Sequence, residues 1–238
     1  AVAGLKTCGI RGFNLTMPNK NKIVELLDDL SPEAQLIGAV NTVLNDNGKL
    51  IGYNTDGYGF MQSVRDAGHD ITGKNITVMG VGGASMAICA QSALDGAASV
   101  HIFARRTSRY WNRTQKFAEN LSAKTGCQVC LFDNDDHTAL RDSIAQSYLL
   151  INATSVGMVP DIDDTIIKDT SLFHPELVVA DVVYEPQETR LLKEAKAAGC
   201  QTFNGMYMLL HQGAKAFQIW TGQEMPVSVI KEKYFSVK

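Results

Sequence analysis

Long apolar runs are missing from these 238 residues. None approaches the roughly 18 positions that a membrane-spanning helix needs, and the opening "AVAGLKTCGIRGF" lacks the charged-then-apolar layout of a signal peptide. A soluble protein with no membrane partner is therefore expected. Excess charge is missing too: 22 Lys and Arg against 25 Asp and Glu leave a net charge of -3 and a pI near 6.0. A surface built to neutralise nucleic-acid phosphate would need clustered basic residues, so no nucleic-acid partner is expected and a small-molecule partner is. Cysteine is sparse and odd in number, at 8, 89, 127, 130 and 200. That fits a reducing compartment, with the cytoplasm as default. The five histidines show no i, i+4 pair and no cysteine at ligand spacing, so no metal is expected. No G-x-S-x-G occurs, which leaves serine hydrolase chemistry without support.

What remains is an ordinary globular composition, 45% hydrophobic and 20% charged, on a chain long enough for one large or two modest domains, two being the expectation. The single C-x-x-C lies in "GCQVCLF", which reads as a β-strand. Residues three apart on a strand face opposite ways, so buried strand cysteines are favoured over a metal or redox pair.

Periodicity and punctuation divide the chain. Residues 1–57 alternate short apolar runs with turns: "CGIRGFNLT", a helical "KNKIVELLDDL" closed before Ser31-Pro32, and "NDNG" as a hairpin between two short strands. The chain enters on a short apolar segment without a helix-start signal. From residue 58 to 207 strands alternate with helices. Strands are expected at 75–80, 99–104, 127–132, 148–154, 177–184 and from 201, and helices at 82–96, near 136–146 and at 189–200. This pattern implies a parallel sheet covered on both faces, a doubly wound α/β domain. Residues 208–238 begin with an amphipathic helix that carries Leu210, Ala214, Phe217 and Thr221 at helical spacing.

Two places carry chemistry. "NITVMGVGGASMAI" sets Gly80, Gly82 and Gly83 directly after a strand and at the opening of a helix. There, bare backbone can approach a pyrophosphate and the helix N-terminus offers free N–H groups. The second strand ends "IFARRTSRY", with Arg105 and Arg106 where an NAD site would carry an acid for the ribose 2′-OH. Guanidinium groups match a 2′-phosphate, so NADP is favoured and NAD stays possible. Two solvated surface arginines are the plain alternative. For an alcohol oxidised by hydride loss, a group must take the hydroxyl proton, and the candidates are Lys20 and Asp56. Taken singly, Lys20 could be a surface lysine and Asp56, in "NTDG", a turn residue.

Seven blocks, "GFNLTMPNK", "GAVNT", "GYNTDGYGF", "GVGGAS", "NATSVGM", "DVVYEP" and "HQGAKAF", occur in the order and approximate spacing of the shikimate dehydrogenase family. The chain resembles that family, especially its quinate/shikimate dehydrogenase branch, over nearly its whole length. The resemblance implies a Rossmann-like domain plus a smaller α/β substrate domain, with the site in a cleft between them. It implies reversible NAD(P)-dependent oxidation of the ring C3 hydroxyl of shikimate, or of the corresponding quinate hydroxyl, to the ketone, a step of aromatic amino acid biosynthesis or quinate use. By the same resemblance Lys20 and Asp56 form the catalytic pair. Thr16, Asn41, Tyr184 and Gln212 face the substrate. Ala84, Thr107, Asn152, Thr154, Val182 and Gly205 join the glycine loop and the two arginines around the cofactor. A homodimer is compatible with it.

Three departures accompany the match. Family members carry upstream a first strand and a Ser-x-Ser-Pro element that holds the substrate carboxylate, and none precedes residue 12, so the substrate domain is expected to be N-terminally incomplete. Ala104 and Thr107 stand where the dual-cofactor branch commonly has Asn and Asp. Tyr207 in "GMYM" stands where the family tends to have glycine. The rivals to this reading are a catalytically silent dinucleotide-binding regulator and a two-domain NAD(P) dehydrogenase for another small substrate.

Overall fold

The computed structural model describes residues 1–235 and divides into two compact units, one of residues 1–63 with 207–238, the other of residues 64–206. In chain order the first holds α1 (Val2–Thr7), β1 (Gly12–Asn14), a 3-10 helix (Lys22–Leu26), β2 (Asp29–Leu30), α2 (Pro32–Ile37), β3 (Thr42–Asp46) and β4 (Lys49–Tyr53). Helix α3 (Asp56–Asp66) crosses the boundary. The second unit continues with β5 (Asn75–Met79), α4 (Gly83–Leu94), β6 (Ser99–Ala104), α5 (Trp111–Thr125), β7 (Gln128–Asp133), α6 (His137–Gln146), β8 (Leu149–Asn152), β9 (Val178–Asp181), α7 (Arg190–Ala197) and β10 (Gln201–Phe203). The chain closes with α8 (Met206–Thr221), α9 (Val227–Ile230) and a π-helical turn, Lys231–Phe235.

In the first unit a four-stranded sheet runs β1-β3-β4-β2, antiparallel except for the β2–β4 pair. The hairpin expected at "NDNG" joins β3 to β4, with Asn47 at φ 52° and Gly48 at φ 92°. Two consecutive left-handed residues are what a tight two-residue turn demands, and Asn-Gly supplies them at least cost. Around the sheet Ile23, Ala34, Val40, Val43 and Leu50 form the core.

The helix expected over "KNKIVELLDDL" is a correction. Only a five-residue 3-10 helix forms, and the segment then extends and pairs in parallel with β4. Asp28 N–H donates to Leu50 C=O (2.9 Å), Ser31 N–H donates to Gly52 C=O (2.8 Å), and the Asp28 carboxylate accepts from Leu50 N–H (2.7 Å). Tertiary pairing overrides a weak local preference. Ser31-Pro32 starts a helix instead of ending one: Ser31 Oγ accepts from Ala34 N–H at 3.2 Å, and Pro32 takes the first helical position, where a missing N–H costs nothing. Helix α1 carried no start signal in the sequence, and its N-cap side chain makes no capping bond.

The second unit is built on a six-stranded sheet ordered β10-β9-β8-β5-β6-β7 with every pair parallel. Counted within the unit this is the 3-2-1-4-5-6 order of a doubly wound Rossmann sheet, as expected. Its central strands β5, β8 and β9 are buried almost throughout, which is why they read as continuous apolar runs rather than alternating ones. Met79, Phe103, Leu150, Val179 and the α7 residues Leu191, Leu192 and Ala195 anchor one core cluster. All five cysteines are free. Cys127, just ahead of β7, is buried, and burial pushes its thiol up to about 11, which keeps it protonated at neutral pH. Among the described residues no group of three or more His, Cys, Asp or Glu side chains is placed to hold a metal ion, and no helix is long and apolar enough to cross a membrane.

Candidate active site

Lys20, Asn41, Asp56 and Gln212, brought from sequence positions as far apart as 20 and 212, meet within the first unit. Asp56 is the first residue of α3, not a turn residue. Its N–H is capped by Asn54 Oδ1 at 3.1 Å, and its carboxylate sits at the positive end of the helix. Lys20 Nζ donates to Asp56 Oδ2 at 2.6 Å, and both side chains are largely withdrawn from solvent, at 16% and 9% exposure. The loop that carries Lys20 is pinned where Val40 N–H donates to Lys20 C=O at 2.8 Å.

The second carboxylate oxygen is held by Asn41. Its Nδ2 donates to Asp56 Oδ1 at 2.9 Å and to Thr55 Oγ1 at 3.0 Å, with Gln212 Oε1 at 3.5 Å. Its Oδ1 accepts from Thr55 N–H (2.9 Å) and from the Thr42 hydroxyl (3.0 Å), which fixes which end of the amide faces the acid. Asn14 Nδ2 in turn donates to Thr42 Oγ1 at 2.8 Å. The result is a buried polar chain that leaves Asp56 with Lys20 on one oxygen and an amide on the other. Thr55, Asn54, Thr42 and Asn14 were missed as functional residues although each lies inside one of the seven blocks. What could have marked them is the density of short polar residues in "NTDG" and "GAVNT", in segments otherwise apolar.

Gln212 reaches this cluster because α8 lies against α3. A Cβ on Gly59 would stand 2.7 Å from Gln212 N and from Met208 C=O. Glycine is needed there for the approach. Along α8 Met208, Leu210, His211 and Ala216 are buried, while Ala214 and Phe217 are half-buried. Thr16 is exposed on the loop before Lys20, outside the bonded network, with its C=O accepting from Asn19 N–H. Tyr207 meets Lys231, whose Nζ lies 4.3 Å from the ring centre, and the Phe235 ring.

In the second unit the glycine loop lies between β5 and α4, at the C-terminal edge of the sheet. Gly80 adopts φ 107°, and a Cβ there would meet Thr154 Cγ2 at 2.8 Å. Gly82 is the N-cap of α4 and supplies no side-chain cap for the first-turn N–H groups, and a Cβ on Gly82 or Gly83 would enter open space. An uncapped helix start beneath a bare loop, continued by Ala84, fits the pyrophosphate of a dinucleotide. Ser85 Oγ donates to Gly80 C=O at 2.6 Å and holds the turn.

At the end of β6, Arg105, Arg106 and Thr107 are exposed, and the Arg106 guanidinium stacks on the Trp111 ring at 4.7 Å. Asp133, at the end of β7, accepts from Arg106 N–H and Asp135 N–H, each at 3.3 Å. This nearby acid was not foreseen, and it is engaged in holding the turn. Asn152 and Thr154 form a tight Asx turn, with Asn152 Oδ1 accepting from Thr154 N–H (3.1 Å) and Oγ1 (2.6 Å). Gly205 is pressed on the segment after β9: a Cβ there would lie 2.1 Å from Val182 C=O. Tyr184, on the same segment, is exposed.

The sequence matches two family descriptions, the shikimate dehydrogenase substrate binding domain over residues 1–43 and the shikimate 5′-dehydrogenase C-terminal domain over residues 205–233. A protein of Listeria innocua named shikimate dehydrogenase (NADP(+)) is 51% identical over 234 residues, 98% of this chain and 80% of that one. A quinate/shikimate dehydrogenase of Escherichia coli is 42% identical over 232 residues, again 98% of this chain and 80% of that one. In structure, the crystallised shikimate 5-dehydrogenase of Listeria monocytogenes, in complex with shikimate and NAD, superposes with a TM-score of 0.94 at 51% identity, covering 97% of this chain and 80% of that one.

Proposed function

Because the chain belongs to the shikimate dehydrogenase family, we propose that its reaction is carried by the Lys20–Asp56 pair at the head of α3. The activity is NAD(P)-dependent interconversion of shikimate, or quinate, with the corresponding 3-dehydro ketone. The observation that carries the assignment of residues is the 2.6 Å contact of Lys20 Nζ with Asp56 Oδ2 while Asn41 occupies Oδ1.

Oxidation of a secondary alcohol breaks a C–H and an O–H bond. When bound, the nicotinamide dinucleotide supplies the hydride acceptor, and returns the hydride in reduction. The proton falls to the protein. Neutral Lys20 Nζ takes it from the substrate hydroxyl in oxidation, and the ammonium gives it to the forming alkoxide in reduction. Asp56 aligns Nζ toward that hydroxyl through its 2.6 Å contact with Lys20. Asn41 and Thr55 hold Asp56 in place, and Gln212 and Thr16 contact substrate hydroxyls. In this reading residues 1–57 and 208–238 bind substrate, while residues 58–207 bind dinucleotide through Gly80, Gly82, Gly83, Asn152, Thr154, Val182 and Gly205, with Tyr184 beside the substrate.

NADP is the preferred cofactor and NAD a weaker one. Arg105 and Arg106 follow β6 without a carboxylate, and Asp133 engages an oxygen with backbone N–H groups of the turn. Five free cysteines support a reducing, cytoplasmic setting. The test is the absorbance of reduced nicotinamide with shikimate or quinate crossed against NADP or NAD, for this chain and Lys20→Ala, with dinucleotide binding followed in the same samples. A rate that collapses in the variant while binding survives is expected. An equal rate in both proteins would remove Lys20 from the mechanism.

A further inference from the structure

Asp181 is fully buried in the second unit, and the proton transfer above does not use it. It ends β9 directly beside Asn152, its register partner at the end of β8. These are C-terminal strand ends, where a doubly wound sheet binds its ligand. Three donors converge on the carboxylate: Asn152 Nδ2 (3.0 Å) and Val183 N–H (2.9 Å) on Oδ1, and the Thr189 hydroxyl (2.8 Å) on Oδ2. They are an amide, a backbone N–H and a hydroxyl, none of them charged. Burial of a carboxylate without a cation is costly, and a core could fill that volume with an apolar side chain.

The bonds show what the carboxylate organises. With its Nδ2 engaged by Asp181 and by Val156 C=O at 3.1 Å, Asn152 must turn Oδ1 toward Thr154, which closes the 152–156 turn against Gly80. Val183 N–H and Thr189 fix both ends of the 182–189 segment, on which Gly205 presses at Val182 and from which Tyr184 projects. Thr189 also caps α7 by accepting from Leu192 N–H. One acid therefore ties two loops from adjacent strands.

We propose that Asp181 is a positioning residue for the dinucleotide: its two carboxylate oxygens brace the 152–156 turn and the 182–189 segment in the geometry that receives the cofactor. This rests on the reading of the second unit as the cofactor-binding one.

The test compares Asp181→Ala and Asp181→Asn with the parent chain. Asparagine keeps Oδ1 for Asn152 and Val183 and can donate from Nδ2 to the Thr189 oxygen. Alanine leaves three buried donors unmet. Binding of NADPH, read from nucleotide fluorescence without substrate, should weaken about tenfold or more in the alanine variant and stay within about threefold in the asparagine variant. Shikimate binding should hold within about twofold in both. Amide exchange in the nucleotide-free protein should accelerate in 154–156 and 183–185 and not along β5 or β6. If alanine prevents folding, Asp181→Ser, whose shorter side chain cannot meet all three donors, gives the same reading. Unchanged NADPH affinity in a folded alanine or serine variant overturns the proposal, as does exchange that rises uniformly across the sheet or an asparagine variant as weak as alanine. If the parent chain binds neither NADPH nor NADH, the cofactor reading fails, and the exchange pattern still decides whether Asp181 braces the two loops.

Discussion

The two units build their sites from different material. In the first, the arrangement at Lys20 and Asp56 is made of side chains: an amide, two hydroxyls, an ammonium and a carboxylate bonded in series. In the second, the loop from Gly80 to Gly83 offers backbone, and its side chains matter mostly by being absent. Reacting atoms must be held in one orientation, which demands directional groups. A pyrophosphate needs only free N–H groups and room. Substitutions should therefore damage the first site through lost bonds and the second through occupied space.

The largest break in that comparison is Lys20→Ala, for which kcat should fall about 10²–10⁴-fold with dinucleotide Kd unchanged. Steady-state rates paired with nucleotide fluorescence measure it. Next come two glycines carrying one substitution and giving opposite readouts. Gly205→Ala places a methyl 2.1 Å from Val182 C=O, so it should lower stability by about 1–3 kcal/mol in urea unfolding and weaken cofactor binding with it. Gly82→Ala meets nothing at φ -78°. It should stay within about 1 kcal/mol of the parent in stability yet lose cofactor affinity about tenfold, since its methyl projects where a phosphate would rest.

Thr55→Val sharpens the other side. It removes the hydroxyl that accepts from Asn41 Nδ2 at 3.0 Å, and kcat/KM for the alcohol substrate should drop about fivefold with dinucleotide binding untouched. Equal losses in both would show that the polar chain serves the whole fold and not the first site alone.

The smallest effect tests Asp181 through pH. Burial is the chief cause that raises its carboxyl above the ordinary value of 3.8, with the bonds from Val183, Thr189 and Asn152 opposing. The native state thus binds a proton more readily than the unfolded chain. Stability contributed by this group rises as pH falls through the raised native value toward 3.8, and is lost above it. Urea midpoints of the parent chain, taken relative to Asp181→Asn at pH 7 and again near pH 4, should shift in the parent's favour at the lower pH. A difference independent of pH would show that Asp181 titrates alike in both states.

The same contrast explains what could be read from the sequence. The parallel sheet was legible because buried strands are long apolar runs separated by helices, and the glycine loop because its demands are local to "GVGGAS". The hairpin at Asn47-Gly48 was equally local. "KNKIVELLDDL" misled because its fate depends on pairing with Leu50 and Gly52, more than 20 residues away, which no periodicity within the segment reveals. Asp56 looked like a turn residue because nothing within "NTDG" shows that Asn54 will cap a helix there or that Asn41 will hold the acid from another strand. Resemblance to a family could point to Lys20, Asn41, Asp56 and Gln212. The bonds that orient them, through Thr55 and Thr42, come only from three dimensions. Asp181 was invisible for a related reason: "DVVYEP" shows an acid at a strand end, and nothing in it shows that Asn152 and Thr189 will converge there.

The first unit is also discontinuous in the chain, and this has a consequence for its birth. Trp220 Nε1 donates to Val43 C=O across 177 residues, Arg11 Nε donates to Trp220 C=O across 209, and Gln212 reaches Asn41 across 171. On the ribosome, residues 1–63 emerge before α8 and wait for it, while the second unit, contiguous from 64 to 206, has all its strands in hand earlier. Contacts of such separation form late and slowly. A nascent chain should thus own a foldable six-stranded sheet well before the polar network around Lys20 can close.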